Sequence, residues 1–326
     1  MRAGRGFWVT RSASAPLIAR AYFALQAAAG VLWWVGVFTL PPVRLATLGG
    51  LDPVAVALAD IPLLVLASAL AAVLPEPGRR WAMRIAVPWT LLVTAVLAVY
   101  ATATGLAGWG AVIMAAASCG GLAAWSLAEL GRIPAERLLL GPLSFGVAPA
   151  ASPRRQLGAT LLQMLVFWAL FLAVLPAGLR LLETRWGLHV AFAAPLPALG
   201  GALLLGASAL GLWSALAMSL RGEGTPLPSA SARRLVITGP YRWVRNPMAL
   251  AGIVQAVGVG LLASSWFVTA YALCGAVYWH TLVRPFEEAD LEARFGEEFA
   301  AYRRRVRCWV PRLGLALEQP RASRRN

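Results

Sequence analysis

Eight runs of mostly apolar residues dominate this chain, at about 21–40, 53–74, 85–104, 109–130, 157–179, 194–220, 247–263 and 266–283. Each comes close to the roughly 20 residues that a helix needs to cross a hydrocarbon layer. In lipid a backbone must satisfy its own N–H and C=O groups, so runs of this length become helices. The predicted fold class is all-α, a polytopic integral membrane protein with about eight transmembrane helices. Composition agrees: the chain is 59% hydrophobic and 13% charged, with a mean hydropathy of +0.68, against about 25% charged residues in soluble domains.

The loops set the orientation. All 29 basic residues are arginine, which reflects an Ala- and Arg-biased coding composition and carries no functional message. Four arginines precede the first run, three lie between the second and third, four between the fourth and fifth, five between the sixth and seventh, and ten follow the eighth. The opposite side has Arg44, Arg180 and Arg185 only. Positive charge stays inside, so both termini are predicted to be cytoplasmic. Arg2, Arg5, Arg11 and Arg20 resemble the start of a signal peptide. However, the apolar run behind them is too long and ends at Pro41–Pro42 without a small-residue cleavage site, so it reads as a retained first helix.

The net charge of +15 is explained by this topology, and no nucleic-acid partner is expected. Cys119, Cys274 and Cys308 are far apart and form no C-x-x-C, so neither a disulfide framework nor a metal site is expected. A bacterial cytoplasmic membrane is the expected location.

The stretch "GPLSFGVAPAASPRR" at 141–155 breaks the chain into two halves. Residues 1–150 form a four-helix membrane region without an assigned role, and residues 151–326 form a second domain. No internal repeat links them, which argues against an inverted-repeat transporter. In the second domain the last two spans meet around Ser264 and Ser265, which predicts a tight helical hairpin.

Two polar clusters flank that hairpin. The first, 219–248, holds three glycines, four prolines and five arginines, and its plain reading is a loop that sets topology. The second begins at His280. On a helix His280, Arg284 and Glu287 share one face with Glu288 beside it, and Pro285 is placed to kink that helix; its plain reading is an amphipathic surface helix. The hairpin must bring the two clusters together at the cytoplasmic membrane face. Such a site offers carboxylates for a cationic or hydroxyl-rich cofactor, arginines for an anion, and apolar walls for a lipophilic substrate.

The blocks "LVITGPYRWVRNPM" (235–248), "EEADL" (287–291), "FGEEFAAY" (295–302) and "VPR" (310–312) occur in an order that resembles the isoprenylcysteine carboxyl methyltransferase superfamily, which includes phospholipid N-methyltransferases. The resemblance covers about 157–313 and implies an integral membrane methyltransferase that uses S-adenosylmethionine. It implies that Tyr241, Arg245, Asn246, Glu287 and Glu288 line the cofactor pocket. Gly239 and Tyr302, in the same blocks, complete the expected cofactor-binding set. Gly222 and Gly224 correspond loosely to a glycine pair of the phospholipid-methylating branch. Arg245, Asn246 and His280 are the candidates for catalysis.

Two departures stand out. Asn246 replaces a histidine found in many members, so it exchanges hydrogen bonds without titrating, and Ala249 replaces a tyrosine. The expected reaction is methyl transfer to a carboxylate, hydroxyl or amine of a lipophilic or lipid-linked substrate. Two alternatives stand beside it: an NADPH-dependent sterol-type membrane reductase, whose cofactor phosphates favour arginines over paired carboxylates, and a non-catalytic lipid-binding or transport protein. Outside this region Asp60, inside the second run, is an intramembrane ionisable group with no partner visible from the sequence. His189 belongs to the opposite face, and tryptophans near span ends read as interface anchors.

Overall fold

The computed structural model describes residues 14–134, 152–225 and 232–311. Arg2, Arg5, Arg11, most of the 141–155 break, the 226–231 part of the polar loop, Arg312 and the C-terminal tail lie outside them. Among the described residues every regular element is helical. Six helices are long and apolar enough to cross a membrane: Ala15–Thr39, Pro53–Val73, Gly78–Thr104, Gly108–Leu130, Arg154–Arg185 and Pro195–Gly222. Large apolar side chains such as Leu32, Leu58, Val99, Leu162 and Leu205 point outward, as expected where the solvent is lipid. The seventh expected span, Pro247–Leu262, is a shorter apolar helix.

The chain divides into two compact units. The first takes in Met1–Pro134 with Leu182–His189, and the second Ala135–Leu181 with Val190–Asn326. Unit one contains α1 (Ala15–Thr39), α2 (Pro41–Thr47), α3 (Pro53–Asp60), α4 (Ala67–Val73), α5 (Gly78–Thr104) and α6 (Gly108–Leu130). Local signals fix these ends: the Asp52 carboxylate caps α3 by accepting from Ala55 N at 2.8 Å, and α5 and α6 stop at Gly105 and Gly131, both left-handed. A π-helical stretch, Ile61–Leu66, joins α3 to α4. It contains Pro62, whose missing N–H cannot continue an α-ladder.

Asp60 has two partners that its sequence neighbours gave no hint of. Its Oδ2 accepts from Trp34 Nε1 at 2.9 Å and its Oδ1 from Trp89 Nε1 at 2.8 Å, so one carboxyl group joins α1, α3 and α5. Asp60→Asn is expected to turn an amide NH₂ against one indole N–H, costing about 2 kcal/mol for the unmet donor. A clear fall in the thermal midpoint of the detergent-solubilised protein would register it.

Helix α7 (Pro153–Trp168), in unit two, passes through a π-helical stretch, Ala169–Val174, into α8 (Leu175–Arg185), whose last four residues belong to unit one. Next come α9 (Pro195–Gly222), a 3₁₀ turn at Gly239–Arg242, α10 (Pro247–Leu262) and α11 (Trp266–Tyr278). A third π-helical stretch, Trp279–Val283, leads to α12 (Arg284–Arg305). The kink expected at Pro285 takes this form: the helix widens just before the proline and runs on.

Helices α9 and α10 approach so closely that a Cβ on Gly200 would meet Leu262 N at 2.5 Å, and one on Gly258 would meet the Gly200 carbonyl at 2.8 Å. Small residues allow this backbone contact in a membrane, where apolar burial gives no advantage over lipid. The loop between α9 and α10 therefore leaves and returns at neighbouring helix ends. The expected hairpin of α10 and α11 is present: Ser264 is left-handed (φ 48°), and Ser265 caps α11 by accepting from Val268 N at 3.2 Å.

Candidate active site

The loop 232–246 folds back onto the end of α9. Arg233 N and Arg234 N both donate to the Gly222 carbonyl, and a Cβ on Gly222 would lie 2.6 Å from Val236 Cγ2. Gly222 thus serves the close return of the chain, a sufficient reason for glycine there; Gly224 is buried next to it. Gly239 (φ 62°) opens the 3₁₀ turn in a conformation that side chains avoid. That turn buries Tyr241 among Ala217, Ala232 and Val236.

Helix α12 is clasped onto this loop at several points. Arg294 pairs with Asp290 at 3.2 Å and donates to the Ala232 carbonyl. Tyr302 Oη donates to the Tyr241 carbonyl at 2.5 Å. Gly296 (φ 50°, ψ −125°) breaks the helical path, so the last turns of α12 follow a new direction. The segment after α12 runs beside the loop: Arg245 N donates to the Arg307 carbonyl at 2.9 Å and Asn246 N to the Cys308 carbonyl at 3.4 Å.

The four polar residues singled out from the two clusters meet in pairs. Arg245 Nη2 contacts Glu288 Oε1 at 2.7 Å, while its Nη1 donates to the carbonyls of Val306 at 2.5 Å and Arg303 at 3.3 Å. A guanidinium placed on the last carbonyls of a helix satisfies orphan acceptors and complements the helix dipole. Asn246 Nδ2 donates to Glu287 Oε2 at 2.7 Å, and its Oδ1 caps α10 by accepting from Ala249 N at 3.1 Å. This double task explains the chemistry of the asparagine: one side chain must both donate and accept.

Electrostatics follows from this crowding. Burial, then the neighbouring Glu288 and Asp290 carboxylates, push Glu287 up to about 7, against the hydrogen bond donated by Asn246. Burial raises the Tyr241 hydroxyl well above its ordinary value, helped by Glu287 and Tyr302. Asn246→Asp would keep the cap, remove the donor and add a like charge. Glu287 is then expected to titrate above about 7, checked by the pH dependence of the thermal midpoint.

His280 is exposed on the third π-helical stretch, and its Nδ1 accepts from Trp309 Nε1 at 2.9 Å. Trp309 can only donate here, so a neutral imidazole in this contact carries its ring proton on Nε2. His189 lies in unit one beside Glu183, at 3.8 Å. Sequence reasoning missed Arg294 and the backbone of 306–308; the spacing of Asp290 and Arg294, four apart, was the available signal for the former.

Residues 196–298 match the phospholipid methyltransferase family. The match spans the loop, the α10–α11 hairpin and both acidic residues, and stops short of Tyr302. It bears out the methyltransferase resemblance for the C-terminal half. The chain is 31% identical over 150 residues to the cobalt-zinc-cadmium resistance protein CzcN of Cupriavidus metallidurans, covering 45% of this chain and 63% of that protein. It is 34% identical over 105 residues to the nickel-cobalt-cadmium resistance protein NccN of Alcaligenes xylosoxydans xylosoxydans, covering 32% and 44%. The matched region thus spans less than two thirds of either relative. Among solved structures, a eukaryotic intramembrane Ras methyltransferase, ICMT (isoprenylcysteine carboxyl methyltransferase), is similar at 16% identity over 91% of this chain and 97% of that one, with a TM-score of 0.30.

The residues fit an S-adenosylmethionine-like ligand in kind. Tyr241 Oη, Arg245 Nε and Arg284 Nε are buried polar atoms without a hydrogen-bond partner among the described residues, and their side chains neighbour the two carboxylates: Arg245 and Arg284 lie 2.7 and 4.0 Å from Glu288 Oε1, and Glu287 acts on the Tyr241 hydroxyl. Unmet polar atoms clustered in one place are costly unless a polar ligand meets them.

Proposed function

We propose that residues 151–326 form an S-adenosylmethionine-dependent methyltransferase domain acting on a carboxylate, hydroxyl or amine of a lipophilic substrate. On this reading the chain crosses the bilayer about eight times, with both termini and the site on the cytoplasmic side. The observation that carries the proposal is the pairing of Arg245 with Glu288 and Asn246 with Glu287 inside a segment that matches the phospholipid methyltransferase family.

Glu287 and Glu288 offer oxygens to ribose hydroxyls or an ammonium group, in partly buried surroundings that strengthen both contacts. The cofactor supplies a methyl group on a sulfonium, which leaves a neutral thioether, so alignment provides much of the rate. Arg245 and Asn246 act as positioning residues: they hold the two carboxylates on the loop and fix the start of α10. Glu287, near neutrality, is suited to receive the proton that a hydroxyl or ammonium acceptor loses. Gly239, Tyr241 and Tyr302 shape the wall.

The test is incorporation of label from methyl-labelled S-adenosylmethionine into the organic-extractable fraction of membranes containing the protein. Incorporation that disappears in the Glu287→Gln/Glu288→Gln variant supports the reading. Equal incorporation by that variant, or none by the wild type across lipid acceptors bearing each of the three groups, removes it.

A further inference from the structure

The loop that carries the candidate site meets α9 well inside the end of that helix. A Cβ on Gly239 would lie 3.4 Å from Trp213 Nε1 and 3.5 Å from Ala217 Cβ, and the Trp213 and Trp243 rings meet edge to face at 5.5 Å. Trp213 precedes Leu220 by seven residues, about 10 Å along a helix axis. Leu205, Leu212, Trp213 and Leu220 are all exposed, and their helical spacing puts them on one side of α9. That side faces lipid, and the turn Gly239–Arg242 stands beside it.

Arg242 is the unusual residue in this setting. It is exposed, and its guanidinium carbon lies 4.5 Å from the centre of the Trp243 ring. Other arginines of the loop are matched: Arg234 by Glu223 at 3.0 Å and Arg245 by Glu288 at 2.7 Å. Among the described residues Arg242 has no carboxylate partner. A guanidinium stacked on a ring keeps its in-plane N–H donors free, and a cation beside lipid is costly unless an anion meets it. Tryptophans favour the bilayer interface, so the anion at hand for Arg242 is the phosphate of a headgroup.

We propose that this turn is a headgroup site for an anionic phospholipid, whose phosphate sits on Arg242 in a two-pronged contact and whose acyl chains run along the exposed side of α9 past Trp213 and Leu205. A zwitterionic lipid brings an ammonium group as well, which the unbalanced charge of Arg242 disfavours. The bound lipid braces the turn that buries Tyr241 and ties the site loop to the surrounding bilayer. The inference rests on the contact of this loop with α9 and is independent of the methyl-transfer reading.

The test is native mass spectrometry of the full chain in detergent micelles holding equal amounts of phosphatidylglycerol and phosphatidylcholine with the same acyl chains. The wild type is expected to retain phosphatidylglycerol about ten-fold more tightly, equivalent to ~1.4 kcal/mol. Arg242→Gln should remove that preference and leave phosphatidylcholine retention unchanged. Arg44→Gln, which takes an exposed arginine from unit one, should change neither. Equal retention of the two lipids by the wild type, an unchanged preference in Arg242→Gln, or an equal loss in Arg44→Gln would each overturn the proposal. So would displacement of the lipid by inorganic phosphate, which would make this a site for a free anion. The wild-type comparison and the phosphate competition decide the matter even where a variant fails to fold.

Discussion

Arg245→Ala is expected to lower the stability of the protein by about 3 kcal/mol and to abolish cofactor binding. The estimate is the low end of the roughly 3–5 kcal/mol for removing one partner of a buried ion pair, because the two side chains keep 12% and 21% exposure. Three bonds disappear together. Glu288 loses its counter-charge beside Glu287, and the carbonyls of Arg303 and Val306 lose the donor that closes α12. Arg245→Lys keeps the charge but cannot span a carboxylate and two carbonyls with one planar fork, so it should restore less than half of the loss. Thermal midpoints of the three proteins, measured with and without S-adenosylmethionine, provide the check. An alanine variant with an unchanged midpoint and intact ligand response would show that the clasp contributes nothing.

The second large effect is a pH dependence centred on Glu287. Its carboxyl is raised from 4.5 to about 7, so between those values the folded protein holds a proton that the unfolded chain has released. Stability is therefore fully present below about 4.5 and falls as pH rises toward 7, by an amount of order 3 kcal/mol at 1.36 kcal/mol per unit. A cationic ligand works in the opposite direction. It favours the ionised carboxylate, so affinity for S-adenosylmethionine should climb as pH rises through about 7, with a proton released on binding at lower pH. Glu287→Gln should flatten both profiles while keeping an acceptor for Asn246 Nδ2. Parallel pH profiles for wild type and variant would assign the titration to another group.

Much of the site was legible in the sequence because its geometry follows from two local features. A very short turn at Ser264–Ser265 forces α10 and α11 into a hairpin, and the hairpin returns Glu287 and Glu288 to the loop that precedes α10. The pairing of particular atoms was less accessible. Nothing in the spacing shows that Asn246 serves as a helix cap and a carboxylate donor at once, or that Arg245 closes the end of α12 through backbone carbonyls 58 and 61 positions away. Gly222 shows a different limit: a G-x-G pattern suggests a ligand, yet the approach of Val236 accounts for the first glycine by packing. Asp60 was recognisable as exceptional for an intramembrane carboxyl group. Its tryptophan partners come from other helices whose rotation the apolar pattern does not encode, since a helix that faces lipid on one side and small residues on the other is apolar all round.

The central claim is that the Arg245–Asn246 loop and the Glu287–Glu288 pair build a site for S-adenosylmethionine. Calorimetric titration of the purified full chain in detergent with S-adenosylmethionine, S-adenosylhomocysteine and NADPH tests it most directly, on wild type and on Glu287→Gln/Glu288→Gln. Saturable binding of the first two ligands, lost in a folded variant, is the predicted result. Binding of NADPH alone would contradict the claim and assign the site to reductase chemistry, and a folded wild type that binds none of the three would contradict it outright.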